Sequence, residues 1–206
     1  MEEVLRKYNS LLVEKNKTMN LTAHKTEDDS WTNNIVDSLL FVKDFPNKAK
    51  VLDLGSGGGC PAIPLKIALP NLDVTMIDSV NKKVVFLNYA VQELGLAGIR
   101  AIHARIEDYK EHGKFDIVTA RAVAPLPTLL EYAMPFLKVG GQLFAFKGSR
   151  AKEEIYASKN ALKLLGCEVK DIKTHGDARS LIIIKKTKPT DKKYPRGKNL
   201  SRIKPL

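Results

Sequence analysis

The chain has 206 residues, 44% hydrophobic and 28% charged, which is enough apolar material for one substantial core with a small appendage and tight for two independent domains. Two cysteines exclude a disulfide framework, and no 18-residue apolar run or charged-then-apolar leader is present; a cytoplasmic protein with no membrane span is expected. The formal charge of +11 is uneven: Lys185 to Leu206 carry nine basic residues against one acid, Asp191, placing +8 within 22 residues. Such a tail is an electrostatic handle for a polyanion such as nucleic acid, or else a solvated extension that aids solubility.

Near the start, Val4, Leu5, Tyr8, Leu11 and Leu12 repeat at the spacing of an apolar helical stripe. A loop is expected over Asn16 to Asn20. Asp28, Asp29 and Ser30 then offer capping oxygens for a second helix with a stripe of Trp31, Ile35, Leu39 and Leu40. From residue 51 strand-like runs alternate with helical ones. Strands are expected at Val51 to Leu54, Val74 to Ile77, Ile99 to His103, Phe115 to Ala120, Gln142 to Phe146, Glu168 to Lys173 and Leu181 to Lys185, with helices near 61–68, 82–94, 127–137 and 150–165. The alternation predicts an α/β, doubly wound, seven-stranded and mostly parallel sheet with an N-terminal helical extension. Soft boundaries near 48 and 187 divide the chain into a helical cap (1–48), a core (49–187) and a basic tail (188–206), whose Tyr194, Pro195 and Ile203 suggest partial docking.

The chemistry concentrates where the first strand ends. Gly55, Gly57, Gly58 and Gly59 leave a backbone without Cβ atoms that a ligand can touch directly, and Asp78 ends the next strand at a distance suited to ribose hydroxyls. A dinucleotide fingerprint wants a small third residue at position 60, which is Cys60, and it wants helix N–H donors that Pro61 and Pro64 remove. S-adenosylmethionine (SAM) carries an adenosine without phosphate and fits better than a nicotinamide cofactor; a glycine turn without a ligand is the bland alternative. Other chemistries lack their residues. Tyr156 and Lys159 are one position too close for a dehydrogenase Tyr-x-x-x-Lys pair, no two prolines adjoin as an amino-methylating DNA enzyme requires, and Cys60 and Cys167 are placed as packing thiols.

In a doubly wound sheet ligands bind beyond the carboxyl ends of the strands, which groups Gly55 to Cys60, Asp78, the segment after His103, Arg121 and Lys147. Glu107 is suited to accept from an adenine amino group, with Ile106 offering a backbone donor; a surface acid capping a helix is the alternative. No metal-binding cluster is expected.

The glycine turn, Asp78-Ser79, Arg105-Ile106-Glu107, Ala120-Arg121-Ala122, Tyr194-Pro195-Arg196 and Lys204-Pro205-Leu206, with Asn20-Leu21-Thr22 and Asp37-Ser38-Leu39, together resemble the RsmG family of bacterial ribosomal RNA methyltransferases. The resemblance covers nearly the whole length. It implies a Rossmann-like class I SAM-dependent methyltransferase fold and methylation of guanine N7 in 16S rRNA of the small ribosomal subunit, by a cytoplasmic enzyme. It places SAM against Gly55, Cys60, Ile106, Glu107 and Arg121, with Asp78 and Ser79 beside the ribose; Gly57 and Gly59 complete the turn. Asn34 and Cys60 stand where the family often has a histidine and a leucine or phenylalanine. Guanine N7 has a free lone pair, so in-line attack needs no general base, and none of the four histidines is assigned one. Arg121 is the residue expected in the catalytic machinery and could hold the methionine carboxylate, an RNA phosphate or guanine O6, the first two being favoured; Lys147 and Arg196 are expected to contact phosphate, with plain surface charge as the alternative. A monomer is expected. The rival reading is a non-catalytic SAM- and RNA-binding assembly factor on the ribosomal subunit.

Overall fold

A computed structural model describes residues 1–197 and 199–206; Lys198, one of the tail's basic residues, lies outside the described residues. Seven strands, β1 (Lys50–Leu54), β2 (Asp73–Asp78), β3 (Ile99–His103), β4 (Phe115–Arg121), β5 (Leu137–Lys147), β6 (Cys167–His175) and β7 (Arg179–Lys186), form a sheet of order β3-β2-β1-β4-β5-β7-β6. The chain divides into two compact units, Met1–Ala104 and Arg105–Leu206.

In the first unit β1, β2 and β3 are parallel, with Leu54 opposite Ile77 and Asp78 opposite His103. Their interior residues are buried apolar side chains, Leu52, Leu54, Met76 and Ile77 among them, as strands covered on both faces require. Helix α1 (Glu2–Met19) buries Leu5, Tyr8, Leu12 and Val13, the expected stripe turned slightly. It runs on through the segment expected as a loop. Asn16 is helical and buried, its Oδ1 accepts from the backbone of Leu21 and Thr22, and Asn20 ends the helix in the left-handed conformation at φ 53°. An amide that caps the following turn lets a polar residue stay in the helix, a tertiary partnership that periodicity does not display.

The second helical stretch starts one turn earlier than expected. Thr26 caps α2 (Glu27–Ser30) by accepting from Asp29 N at 3.2 Å, a π-helical segment Trp31–Val36 follows, and α3 (Asp37–Leu39) completes it. The wider π turn rotates the apolar face, so Asn34, Ile35 and Ser38 are buried while Trp31, Leu39 and Leu40 are only partly covered. Helices α4 (Ala62–Ala68) and α5 (Asn81–Glu93) lie where the sequence placed them.

In the second unit β4 and β5 are parallel, and β7 runs antiparallel to both β5 and β6. Strand β5 begins five residues before its expected start, through Gly140 at φ 88° and Gly141, where a Cβ would approach Asp116 O to 2.9 Å. Those glycines permit close backbone contact within a strand and do not end a helix. Helix α6 (Leu126–Ala133) stops four residues short of expectation because Pro135 offers no N–H to continue it. The helix expected over 150–165 is two, α7 (Ala151–Ala157) and α8 (Lys159–Leu165), divided at buried Ser158, whose Oγ donates to Glu154 O at 2.7 Å. Gly166 closes α8 at φ 63°.

The basic tail docks in part. Tyr194 and Ser201 are buried and a short helix α9 (Leu200–Ile203) forms, but Ile203 is 78% exposed and takes no part in the docking.

Candidate cofactor site

In the first unit the glycine turn leaves β1 and is tied to β2 by backbone and carboxylate. Ser56 N donates to Ile77 O at 3.1 Å, and Gly57 N donates to Asp78 Oδ2 at 2.9 Å. The other Asp78 oxygen accepts from Val80 N at 2.9 Å, so one buried carboxylate fixes both the turn and the start of α5. A carboxylate has about four acceptor directions, and these two bonds leave capacity for ribose hydroxyls.

Three of the four glycines need their conformational freedom, with φ of 63° at Gly55, 57° at Gly57 and 102° at Gly59. Gly58 and Gly59 also need their smallness. A Cβ at Gly58 would lie 2.8 Å from Leu12 Cδ1, and one at Gly59 would lie 2.6 Å from Ile63 Cδ1 and 2.8 Å from the Tyr8 hydroxyl. Helix α1 therefore backs the turn directly. Tyr8 donates to Gly58 O at 2.6 Å and lies 3.3 Å from Cys60 Sγ. The start of α4 has little left for a phosphate, since Ile63 N is used by Gly59 O and positions 61 and 64 are prolines. Ser79 is exposed, and its carbonyl lies 3.1 Å from His103 Nε2.

The second unit carries the remaining expected residues. Ile106 and Glu107 form a 3-10 turn just after β3, and Glu107 is nearly covered, its side chain 8% exposed. Tyr132 of α6 donates to Glu107 Oε1 at 3.3 Å, while Arg105 Nε stands 3.8 Å from Oε2. Arg121 is the last residue of β4, and Ala122 after it has φ 57°, a conformation that costs a non-glycine residue energy and that the surrounding structure must hold in place.

Lys147, at the end of β5, braces the loop after Arg121 by donating to Ala124 O at 2.8 Å and Glu154 Oε2 at 2.7 Å. Arg196 is engaged as well: its Nε and Nη2 grip both oxygens of Glu131, at 2.7 to 3.1 Å, and its backbone N donates to the same carboxylate. Glu131 has a fully covered side chain. Periodicity gave no sign of it, because its neighbours on α6 are apolar and only an arginine 65 residues away explains its place.

Neither cysteine has nucleophilic character: Cys60 is buried, and burial pushes the Cys167 thiol up to about 12. Burial also lowers His112, which packs edge-on against Phe136 at 5.2 Å. Among the described residues no group of three or more His, Cys, Asp or Glu side chains is placed to hold a metal, and no helix is long and apolar enough to cross a membrane.

The sequence profile described as rRNA small subunit methyltransferase G matches residues 1–183. The chain belongs to that family. Ribosomal RNA small subunit methyltransferase G of Streptococcus thermophilus is 43% identical over 216 residues, an alignment covering 100% of this chain and 91% of the relative. Its counterpart in Streptococcus pyogenes serotype M3 is 44% identical over 214 residues, covering 97% and 89%. As a member of this methyltransferase G family the chain is an enzyme that methylates small-subunit ribosomal RNA.

Solved structures agree in fold. A putative S-adenosyl-L-methionine-dependent methyltransferase from Methanococcus maripaludis superposes with a TM-score of 0.64 at 16% identity, covering 89% of this chain and 94% of that one. TYW2 from M. jannaschii, solved in complex with AdoMet, gives 0.59 at 18% identity and covers 74% of each chain. The sheet order and these likenesses make the architecture the Rossmann-like fold of SAM-dependent methyltransferases, as expected.

Proposed function

We infer that this methyltransferase G family member transfers the methyl group of SAM to N7 of a guanine in 16S ribosomal RNA by direct in-line attack, without a general base. SAM is the cofactor that the fold and family favour, and it supplies an electrophilic methyl on sulfur. The single observation carrying the reading is the Asp78 strut: a buried carboxylate bonded to Gly57 N and Val80 N beside a turn of bare main chain. That arrangement suits a ribose and, with Pro61 and Pro64 following, disfavours a pyrophosphate.

The proposed SAM contacts in the first unit are Gly55, Gly57, Gly59, Cys60, Asp78 and Ser79. In the second they are Ile106, Glu107 and Arg121, with Glu107 accepting from the adenine amino group. Guanine N7 presents its lone pair at neutral pH, so what the protein must supply is alignment, which contributes on the order of 7 to 11 kcal/mol in favourable cases. The histidines fit this reading: His24 pairs with Asp29 at 2.9 Å, His103 faces the Ser79 carbonyl, and His112 packs on a ring. Arg121 is assigned to the methionine carboxylate or a phosphate, since a guanidinium against a guanine that is gaining positive charge would raise the barrier.

Lys147 and Arg196 remain proposed phosphate contacts, each having first a structural duty within its own unit. We further propose the cap at 1–48, the core at 49–187 and the tail at 188–206 as functional divisions of a cytoplasmic monomer acting on the small subunit. Support for the cap is the Tyr8 bond to Gly58, and support for the tail is its charge.

The test is transfer of labelled methyl from SAM to small-subunit RNA, followed by mapping of the modified position; label outside guanine N7, or none at all, would sink the reading. Arg121→Ala is expected to weaken SAM or RNA binding while leaving the single-turnover rate at saturating ligands within about tenfold of wild type. A collapse of that rate would give Arg121 a role in the chemical step.

A further inference from the structure

The basic tail reaches back to Arg105, a side chain beside Glu107. Asn199, the residue before α9, sits in the left-handed conformation at φ 63° and accepts from Arg105 Nη2 at 2.8 Å. Three residues on, Arg202 Nη2 reaches Val123 O at 3.4 Å, two residues past Arg121. Tyr132 of α6 donates to Glu107. One neighbour of the carboxylate, Arg105, is thus held by the tail.

The distances differ in an informative way. An arginine–carboxylate pair that makes a direct charge-assisted bond stands at about 2.7–2.9 Å and is often bidentate. Arg105 Nε stops at 3.8 Å, with its Nη2 drawn off by Asn199. A carboxylate saturated by a guanidinium fork loses acceptor directions; one held at longer range keeps them for a ligand N–H. Tyr132 of α6 takes one acceptor direction of Oε1. The tail itself is anchored independently by Arg196 on buried Glu131 and by Thr128 Oγ1 donating to Ser201 O at 2.9 Å.

We propose that Asn199 is a positioning residue for Glu107: it restrains Arg105, leaving acceptor directions of the Glu107 carboxylate for a 6-amino purine. The proposal rests on the reading of Glu107 as the adenine acceptor. It gives the tail a duty in cofactor recognition separate from its charge.

The experiment is calorimetric titration of the full chain with S-adenosylhomocysteine and with its 6-oxo counterpart, S-inosylhomocysteine. Asn199→Ala is expected to weaken the adenosyl ligand about tenfold, as loss of a hydrogen bond to a charged group does, and to narrow the preference over the inosyl ligand. Adding Arg105→Gln to Asn199→Ala removes the guanidinium that would otherwise close on Glu107, and affinity should return to within about threefold of wild type. Asn199→Asp, which keeps the acceptor, should bind as wild type and guards against a folding defect. Asn199→Ala binding at wild-type strength, or no recovery in the double variant, overturns the proposal. Glu107→Gln separates the two levels: if it binds the adenosyl ligand normally, the adenine assignment itself fails; if it binds weakly while Asn199→Ala does not, only the tail's role falls.

Discussion

Gly59 shows how tightly single positions are specified. Its φ of 102° is left-handed, and a Cβ there would meet Ile63, the Tyr8 hydroxyl and Leu87 at 2.6 to 3.0 Å. Gly95, at φ 61°, has nothing within 4 Å of the same point. Gly59→Ala should therefore cost about 1–3 kcal/mol more than Gly95→Ala, overpacking being added to backbone strain, and chemical denaturation of both variants checks it. Glu131 makes a different kind of demand. Burial pushes its carboxyl up, but the side-chain and backbone hydrogen bonds of Arg196 outweigh burial and hold it below the ordinary value. A depressed carboxylate stabilises the fold above its unfolded value, and the contribution disappears as pH falls through the folded one. Glu131→Ala should lose about 3–5 kcal/mol at neutral pH by leaving a half-buried guanidinium uncompensated. Glu131→Gln should flatten the fall in stability below about pH 4.5, measured by urea midpoints across pH.

At the scale of elements, caps and carbonyl brackets decide where segments end. Thr26 holds the first turn of α2 through Asp29 N, and Thr26→Ala should lower stability by about 1 kcal/mol, read as a shift in melting temperature. Two buried lysines fasten chain reversals: Lys66 Nζ donates to the carbonyls of Pro70 and Leu72, and Lys186 Nζ to those of Met134 and Leu137. Burial lowers both ammonium groups, so their penalty on the folded state is full at neutral pH and eases as pH rises toward the unfolded value. The strands were legible because apolar runs of the right length alternate with helical stripes, and β3 spans the expected residues. Asn16, Ser158 and Gly141 were not legible in this way, since each owes its role to a partner backbone that periodicity cannot show.

Across the whole molecule, the charge is concentrated in a tail that does two kinds of work. Arg196, Asn199, Ser201 and Arg202 are committed to docking within the second unit, whereas Lys188, Lys192, Lys193 and Lys204 are exposed. Replacing these four lysines with glutamine should therefore weaken RNA binding and reduce the slope of log affinity against log salt, by roughly 0.7 for each phosphate that a lysine no longer neutralises. Melting temperature should change little, because none of the four fills the core. An unchanged slope in a filter-binding series would mean that the tail's charge does not touch RNA. Sequence alone determined the alternating α/β order, the glycine turn with Asp78 at the next strand's end, the family and the uneven charge, because backbone freedom, hydrophobic period and net charge are local properties of the chain. Tertiary structure decided which polar groups are spoken for: that Arg196 answers Glu131, that Tyr8 backs the glycine turn and that Asn199 accepts a hydrogen bond from Arg105. Those pairings join residues about 50 to 94 positions apart, and burial gives each its meaning by removing water as an alternative partner.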